Sequence, residues 1–209
     1  MPAGRRQIEQ GAATRAALVE AGRQLFVERG YFATGTAELV ATAQVTRGAL
    51  YHHFADKQDL FRAVFHSIGA EVLSGQMGPS RGPVDPSLDA WDQLRQGLRR
   101  FFEMVVVEPA LQRVILIDGP AVLGWQEWNR LEERYNLARI EATIERSVAD
   151  GIIQPQPTRA LARLLLGLVN SGALMVANAA DRANAEAEVV DALDALLVGL
   201  RRPGSGHAN

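Results

Sequence analysis

The sequence contains no cysteine and a single lysine, Lys57. The absence of cysteine excludes disulfide bonds and thiolate metal sites within the chain. Aromatic residues contribute only 6% of the 209 residues, whereas hydrophobic residues contribute 47%, with alanine and leucine abundant. This composition favours helices over strands. A chain of this length can bury a substantial core, in one large domain or in two small ones.

Signals for export and for membrane insertion are also missing. The start of the chain, MPAGRRQIEQGAATR, contains no apolar run of the kind found in secretory signals. The most apolar stretch, residues 160–180, carries Arg163, Asn170 and Asn178, and these polar side chains argue against a membrane span. We therefore expect a cytoplasmic protein with no membrane partner.

The sequence shows no pattern typical of catalysis. It has no metal-ligand spacing, no nucleophile motif and no phosphate-binding loop. An enzyme hypothesis would depend on His52, His53 or His66 acting with a carboxylate. His52 and His53 are adjacent, so on a helix they would point to different faces and could not chelate one ion well. We predict no enzymatic activity, no catalytic residue, no metal site and no cofactor.

The charge is divided unevenly along the chain. The net charge is −2, but residues 1–73 carry +1 and the remaining residues carry −3. The asymmetry has the sign expected of an N-terminal nucleic-acid-binding region, but it is small. DNA binding would therefore depend on a local surface and not on the overall charge.

The stretch between residues 34 and 61 predicts two short helices joined by a tight turn, followed by the start of a third helix. In the first helix, from about Thr36 to Ala43, apolar residues recur three or four positions apart and share one buried face. Thr46 is a suitable N-cap for the second helix, because its hydroxyl can accept hydrogen bonds from backbone N–H groups two or three residues later. Asp56 is placed to cap the third. This pattern is a helix-turn-helix, whose second helix suits the DNA major groove.

The same region resembles the DNA-binding signature of the TetR family of transcriptional regulators, over roughly residues 14–66. The most specific part is the run LYHHF, residues 50–54, followed three residues later by Lys57. Three positions depart from the family pattern: Gln44 replaces a common glycine, Gly35 a common serine or threonine, and Val40 a common alanine. Gln44 would need a turn conformation that glycine adopts more easily, at a cost of ~1 kcal/mol.

Candidate DNA contacts lie on the outward face of the second helix and beside it. Arg47 is the long cationic side chain of that helix, and it can pair with the acceptor edge of guanine or with phosphate. Lys57 lies at the start of the helix that Asp56 caps, where the helix dipole also favours phosphate. For Tyr51 and His53 the alternative is packing within the small domain, which we expect for His53. The resemblance adds Thr34 and Thr36. The predicted DNA-binding set is then Thr34, Thr36, Gln44, Thr46, Arg47, Gly48, Ala49, Tyr51, His52 and Lys57.

The pattern predicts an all-α fold with an N-terminal three-helix helix-turn-helix DNA-binding domain and a C-terminal helical dimerisation domain, and the resemblance implies that the C-terminal domain also binds a ligand. The first domain, residues 1–73, begins with a mobile arm over residues 1–12, then a helix over 14–29, and ends with a linking helix from residue 57. Residues 74–86 are rich in glycine and proline and predict a loop. The second domain spans residues 87–202, and residues 203–209 are expected to form a disordered tail.

Helices of the second domain are predicted from residue 87 to 108, from 110 to 117 with a break at Asp118-Gly119-Pro120, and from 125 to 149. Thr158 is the predicted N-cap of the next helix. The last two helices, 159–179 and 185–201, are apolar on several faces, so they need cover on nearly all sides. A second copy of the chain would supply that cover, and a four-helix bundle is what the resemblance implies. We expect a homodimer formed through residues 158–201.

The resemblance also implies a small-molecule effector, of unknown identity, inside the C-terminal domain. Large apolar residues with a few polar ones suit such a cavity, although a helical bundle needs the same residues as core. Asp118 and Trp125 flank the predicted helix break, where loop side chains can line a cavity mouth. The candidate effector-binding residues are Phe101, Phe102, Met104, Asp118, Trp125, Trp128, Tyr135 and Asn170.

These observations together predict a homodimeric TetR-like transcriptional regulator, and specifically a repressor. It would bind a double-stranded, palindromic DNA operator and be released by its effector. The alternative is an effector-independent protein, architectural or constitutive, that binds DNA with a filled C-terminal core.

Overall fold

The computed structural model describes residues 3–79 and 85–203, and within them the side chains of all but residues 3–7 and Tyr135. Over these ranges the chain forms ten α-helices and two π-helical segments, with no β-strand, which confirms the all-α prediction. The elements in chain order are α1 (Ala3–Arg29), α2 (Thr36–Thr42), α3 (Arg47–His53), α4 (Lys57–Leu73), α5 (Ala90–Val107), π1 (Leu111–Asp118), α6 (Gly119–Leu123), α7 (Trp125–Glu132), π2 (Glu133–Leu137), α8 (Ala138–Ala149), α9 (Thr158–Asn178) and α10 (Arg182–Gly199).

The chain divides into two compact units, and the division differs from the predicted one. The first unit joins Met1–Ala70 to Pro109–Gln126, and the second joins Glu71–Glu108 to Glu127–Asn209. The segment with π1 and α6 therefore packs with the N-terminal helices, although the sequence pattern assigned it to the C-terminal domain. The chain leaves the second unit after α5 and returns to it in α7.

The core of the first unit is built by α1 to α4. Leu18, Phe26, Leu39 and Phe61 are fully buried in it. Helix α1 starts at Ala3, so the predicted mobile arm is wrong for residues 3–12, which continue the helix; residues 1 and 2 lie outside the described range.

Local signals in the helix-turn-helix are confirmed. The Thr46 hydroxyl accepts a hydrogen bond from the Ala49 N–H at 3.1 Å, and Asp56 accepts one from the Asp59 N–H at 2.7 Å. Gln44 has a φ of 55°, the left-handed conformation that its place in the turn predicts. The residue types at these positions therefore shape the turn as their chemistry requires.

The break predicted at residues 118–120 is wrong. Segment π1 passes directly into α6, with Pro120 in the first turn of that helix, where its missing N–H costs nothing. The helix ends instead at Gly124, which has a φ of 79° and lies between α6 and α7.

The second unit packs α5, α8, α9 and α10 around a core that includes Trp91, Ile144, Ala162 and Leu197. The Trp91 indole N–H donates to the Leu197 carbonyl at 3.0 Å, which ties α5 to α10. Pro157, and not Thr158, occupies the N-cap position of α9, so that predicted cap is wrong. The predicted disordered tail begins at residue 203, and its residues 204–209 lie outside the described range.

Helix α9 has an unusual surface for a helix of this length. By length and composition it is the one helix in the described ranges that could cross a membrane, and half of its apolar window is buried inside the protein. Its other face leaves Leu164 and Met175 more than 60% exposed. A core helix with one uncovered face has the same composition as a membrane span.

Candidate DNA-binding surface and effector domain

Helix α3 presents one polar face and one buried face. Leu50 is 1% exposed, and Phe54 directly after the helix is 3% exposed, so both lie on the buried side. Arg47, Tyr51 and His52 lie on the opposite, exposed face, as predicted. The helix therefore offers a cationic and hydrogen-bonding surface on a fixed support.

Tyr51 connects the exposed faces of α2 and α3. Its pKa is lowered first by a hydrogen bond with Arg47 and then by one with Thr36. The Arg47 guanidinium carbon also lies 5.8 Å from the centre of the Tyr51 ring. These three side chains form one polar surface, which we call the α2–α3 surface.

The start of α3 is open to a large partner. Gln44 and Thr46 are exposed, and Ala49 is half-buried. A Cβ placed on Gly48 would meet only the Thr46 hydroxyl, at 3.8 Å, and a Cβ on Gly35 would meet nothing within 4 Å. Backbone at these positions can therefore approach DNA closely, which is what the sequence predicts for Gly48.

Lys57 is bonded more extensively than the sequence suggests. Its ammonium donates to the carbonyls of Tyr31 and Thr34, each at 2.9 Å, and lies 4.0 Å from the centre of the Tyr31 ring. Burial lowers the pKa of this side chain. An ammonium has three N–H donors, and two of them are used by these carbonyls. Lys57 thus shapes the turn between α1 and α2.

Thr34 does not lie on the surface with the other candidates. It is 2% exposed, and its hydroxyl lies 2.8 Å from the Gly30 carbonyl, to which it donates. The predicted side-chain contact of Thr34 with DNA is therefore wrong, because the hydroxyl is used to close the end of α1. His53 is half-buried against His52, with ring centres 5.0 Å apart, in agreement with its expected packing role.

The eight candidate effector residues are split between the two units. Asp118 and Trp125 belong to the first unit, and the others belong to the second. Asp118 is 3% exposed and accepts hydrogen bonds from the Tyr31 N–H and from Arg113, whereas Trp125 is 61% exposed. Asp118 is therefore committed to the turn after α1, in a different compact unit from the six candidates other than Trp125.

In the second unit the remaining candidates belong largely to the core. Phe102 and Trp128 are fully buried, and Asn170 is 6% exposed in the middle of α9. Phe101 packs edge-on against Phe102 with ring centres 5.5 Å apart, and Met104 lies against Gly78, where a Cβ would clash with it. The side chain of Tyr135 lies outside the described part of the structure.

Charged side chains connect α5 and α10 in this unit. Arg95 forms a two-pronged pair with Asp194, with N–O distances of 2.7 and 2.8 Å, and also pairs with Asp92 at 2.8 Å. Arg99 reaches Asp194 at 2.9 Å. Beside this network lies a cavity of about 10 Å³, bounded in part by Leu98 and Phe102, which has room for about one water molecule.

Two family models match the chain. Residues 18–64 match the family described as bacterial regulatory proteins of the tetR family, and residues 91–200 match the Tetracyclin repressor-like C-terminal domain. The second match alone covers 110 of the 209 residues. The chain belongs to the TetR family of transcriptional regulators.

Relatives and solved structures agree with this assignment. A crystal structure of a TetR-family transcriptional regulator from Pectobacterium atrosepticum is 34% identical, covers 93% of this chain and 97% of that chain, and has a TM-score of 0.78. The transcriptional regulator AcrR of Shigella flexneri is 30% identical over 156 residues, which are 69% of this chain and 68% of AcrR. A SmeT–triclosan complex shares the fold, with 20% identity, a TM-score of 0.70, and coverage of 93% of this chain and 95% of that chain.

The family assignment gives the two regions their coarse roles. This TetR-family protein is a transcriptional regulator with a helix-turn-helix that binds DNA and a C-terminal ligand-binding domain. Its relatives are named as transcriptional regulators, a class that is generally not enzymatic. Among the described residues, no group of three or more His, Asp or Glu side chains is arranged to hold a metal ion.

One titratable residue of this TetR-family protein was missed by the sequence pattern. Glu132, at the end of α7, has its pKa raised to about 7 because burial disfavours the charged form. The Asn136 amide donates a hydrogen bond to its carboxylate at 3.2 Å and partly opposes that shift. Glutamate at a helix end usually lies in solvent, so the sequence carries no signal for this environment.

Proposed function

We propose that this TetR-family protein is a cytoplasmic repressor that binds a palindromic operator as a homodimer and is released by a small molecule. The observation that carries the proposal is the α2–α3 surface, on which Tyr51 interacts with both Arg47 and Thr36. A guanidinium held by an aromatic hydroxyl is preorganised for guanine or phosphate. The remaining proposed contacts are Gln44, Thr46, Gly48, Ala49, His52 and Lys57.

The proposed dimer forms through residues 158–201. Leu164, Leu168 and Met175 recur on one face of α9 and are exposed, and Gly167 beside them has nothing within 4 Å of a Cβ position. An exposed apolar face of this kind marks an interaction site, and symmetric dimers are the commonest assemblies. The uncovered face also accounts for the apolar composition of α9 without a membrane.

The effector is proposed to bind in the second unit, among Phe101, Phe102, Met104, Trp128 and Asn170. These residues line or approach the core of the unit, so an effector would have to displace some of their present contacts. Such binding acts on DNA only if it favours one of two arrangements of the dimer. The SmeT–triclosan complex supports a small aromatic molecule as the first class to screen.

The first test is selection of bound DNA from a random pool with purified full-length protein at a fixed salt concentration. An inverted repeat supports a dimeric operator binder. Tight binding without a consensus would favour the architectural alternative, and no binding would contradict the proposed surface. On the selected operator, Arg47→Ala should lose about 1–3 kcal/mol of binding and relax the preference at one base position.

The dimer is tested by Leu164→Glu, with Ala138→Glu as the matched control outside the proposed interface. Leu164→Glu should give a monomer by light scattering and lose the inverted-repeat complex, because a charge cannot be buried unpaired. Ala138 is exposed on α8, so Ala138→Glu should leave the dimer and its inverted-repeat complex unchanged. A Leu164→Glu protein that remains dimeric would contradict this interface.

The effector site is tested by Asn170→Leu, a near-isosteric change. Operator binding should be retained while release by an active small molecule weakens, because a polar contact inside the unit is lost. Tryptophan fluorescence of the protein during a compound screen identifies the ligand, and gel shift measures release. If the small molecule releases the variant from DNA as well as it releases the parent, Asn170 does not contact the effector.

A further inference from the structure

The turn between α1 and α2, residues 30–34, is bonded to charged side chains from two different elements. At the end of π1, one carboxylate oxygen of Asp118 accepts a hydrogen bond from the Tyr31 N–H at 2.8 Å. At the start of α4, the Lys57 ammonium donates to the carbonyls of Tyr31 and Thr34 at 2.9 Å. The backbone of Tyr31 is therefore fixed at its N–H by an anion and at its carbonyl by a cation.

Two further contacts join the same segments. Arg113 pairs with the same Asp118 oxygen at 3.3 Å, and its guanidinium fills the space beside Gly30, where any Cβ would clash. Gly30 has a φ of 81°, the left-handed conformation that favours glycine. The second contact is between α4 and α6, where the Gln58 amide donates to the Val122 carbonyl at 2.7 Å.

The turn leads directly into the α2–α3 surface. Gly35 is the N-cap of α2 and Thr36 is its first residue, so a shift of the turn moves the start of α2. The same turn positions the Lys57 ammonium, because two of its three donors are bonded to turn carbonyls. Two proposed contacts, Thr36 and Lys57, therefore depend on where Tyr31 lies.

The charge of Asp118 cannot itself favour DNA. A carboxylate in a DNA-binding unit repels the phosphate backbone, and its removal should strengthen binding if charge alone mattered. Asp118 is nevertheless buried at 3% exposure, a costly state for a carboxylate that only good partners offset. Any favourable effect of Asp118 on DNA binding must therefore act through geometry.

We propose that Asp118 is a positioning residue for operator binding. It fixes the Tyr31 turn and, through that turn, the start of α2 and the ammonium of Lys57. The proposal depends on the proposed DNA-binding role of the α2–α3 surface. It assigns to Asp118 a role in DNA binding in place of the effector contact that the sequence suggests.

The test measures how tightly the full-length Asp118→Ala and Asp118→Asn variants bind the operator. Asp118→Ala should bind about tenfold more weakly, since the part-buried Tyr31 N–H loses its acceptor and the turn is no longer held. The operator affinity of Asp118→Asn should lie between those of Asp118→Ala and the parent, because an amide oxygen can still accept a hydrogen bond from the Tyr31 N–H. Affinity is measured well below the unfolding temperature, with the folded fraction and the dimer checked on each sample.

Glu20→Ala is the matched control, because Glu20 is exposed on α1 and its loss changes the charge of the same unit equally. Its affinity should be unchanged or slightly tighter. The salt dependence gives a second readout that loss of folded protein would not alter. The slope should fall by about one for Asp118→Ala if the Lys57 phosphate contact is displaced.

Arg47→Ala separates the two proposals. If Arg47→Ala loses binding while Asp118→Ala binds as tightly as the parent or more tightly, the positioning role is overturned. If neither substitution weakens binding, the α2–α3 surface does not bind the operator and the proposed function fails. Should Asp118→Ala not fold, Asp118→Asn decides, and an unchanged affinity and salt slope in that variant would overturn the proposal.

Discussion

The two compact units use their charged side chains differently. In the first unit, Asp118 and Lys57 bond mainly to backbone groups of a single turn. In the second unit, charged side chains bond to one another: Arg201, near the end of the chain, reaches both Asp89 and Asp92, and Arg95 reaches both Asp92 and Asp194. One arrangement fixes a loop, and the other fixes two helices.

The difference predicts different tolerance to substitution. Loss of Asp118 takes the acceptor from the part-buried Tyr31 N–H, and loss of Lys57 takes a charged donor from the carbonyls of Tyr31 and Thr34, of which the Tyr31 carbonyl also accepts from the Thr34 N–H at 3.3 Å. In the α5–α10 network most members have two partners, and Arg95 keeps Asp92 when Asp194 is removed. We therefore expect single substitutions to cost more in the first unit than in the second.

Lys57→Ala should give the largest effect. It removes two charge-assisted hydrogen bonds and the contact with the Tyr31 ring, so the free energy of unfolding by urea should fall by about 3 kcal/mol. Operator binding should weaken for all sequences, with the salt slope lower by about one. Arg62→Ala on the same helix, partly exposed beside Asp59, is the control and should cost much less. An unchanged salt slope would limit Lys57 to shaping the turn.

Glu132 is an exception within the second unit, because its partner is the neutral Asn136 amide and not a cation. Its pKa rises from 4.5 to about 7 on folding, so the folded state holds the proton more tightly. The stabilising contribution is complete below about pH 4.5 and is lost as the pH rises through about 7.

Glu132→Gln tests this environment, because glutamine resembles the protonated carboxyl. Relative to the parent, the variant should gain about 2–3 kcal/mol of unfolding free energy between about pH 5 and about pH 8. Urea unfolding at the two pH values measures the gain. A difference between the two proteins that does not vary with pH would show that Glu132 titrates normally.

Asp194→Ala tests the redundancy of the α5–α10 network. It removes the two-pronged pair with Arg95 and the pair with Arg99, but Arg95 retains Asp92. Because these side chains are about one-fifth to one-half exposed, the expected loss of unfolding free energy is about 1–2 kcal/mol. Asp191→Ala, exposed one turn earlier on α10, should change it by less than about 0.5 kcal/mol. A loss larger than that of Lys57→Ala would reverse the comparison of the two units.

The sequence predicted those features of the first unit that depend on neighbouring residues. The cap at Thr46, the cap at Asp56 and the left-handed turn at Gln44 involve partners within four positions, so residue type is enough to predict them. The exposed face of α3 followed from helical spacing for the same reason.

Features that join distant parts of the chain could not be predicted in this way. Tyr31 and Asp118 are separated by 87 positions, and nothing near either residue indicates the other. The apparent break at Asp118-Gly119-Pro120 suggested a loop, because proline and glycine usually end helices. Here Pro120 falls in the first turn of α6, which tolerates it, and tertiary contacts hold Asp118 inside.

The smallest predicted effect concerns the backbone of the first unit alone. Gln44 has a φ of 55°, where a side chain costs energy that glycine avoids, so Gln44→Gly should raise the unfolding free energy by about 0.5–1 kcal/mol. Gln44→Ala is the matched control, because it removes the same polar group and keeps a Cβ in the left-handed conformation. If Gln44 contacts DNA, both variants should bind the operator more weakly although only one is stabilised. Equal stability of the two variants in urea would show that the turn carries no strain. Operator affinities equal to that of the parent would show that the Gln44 side chain does not contact DNA.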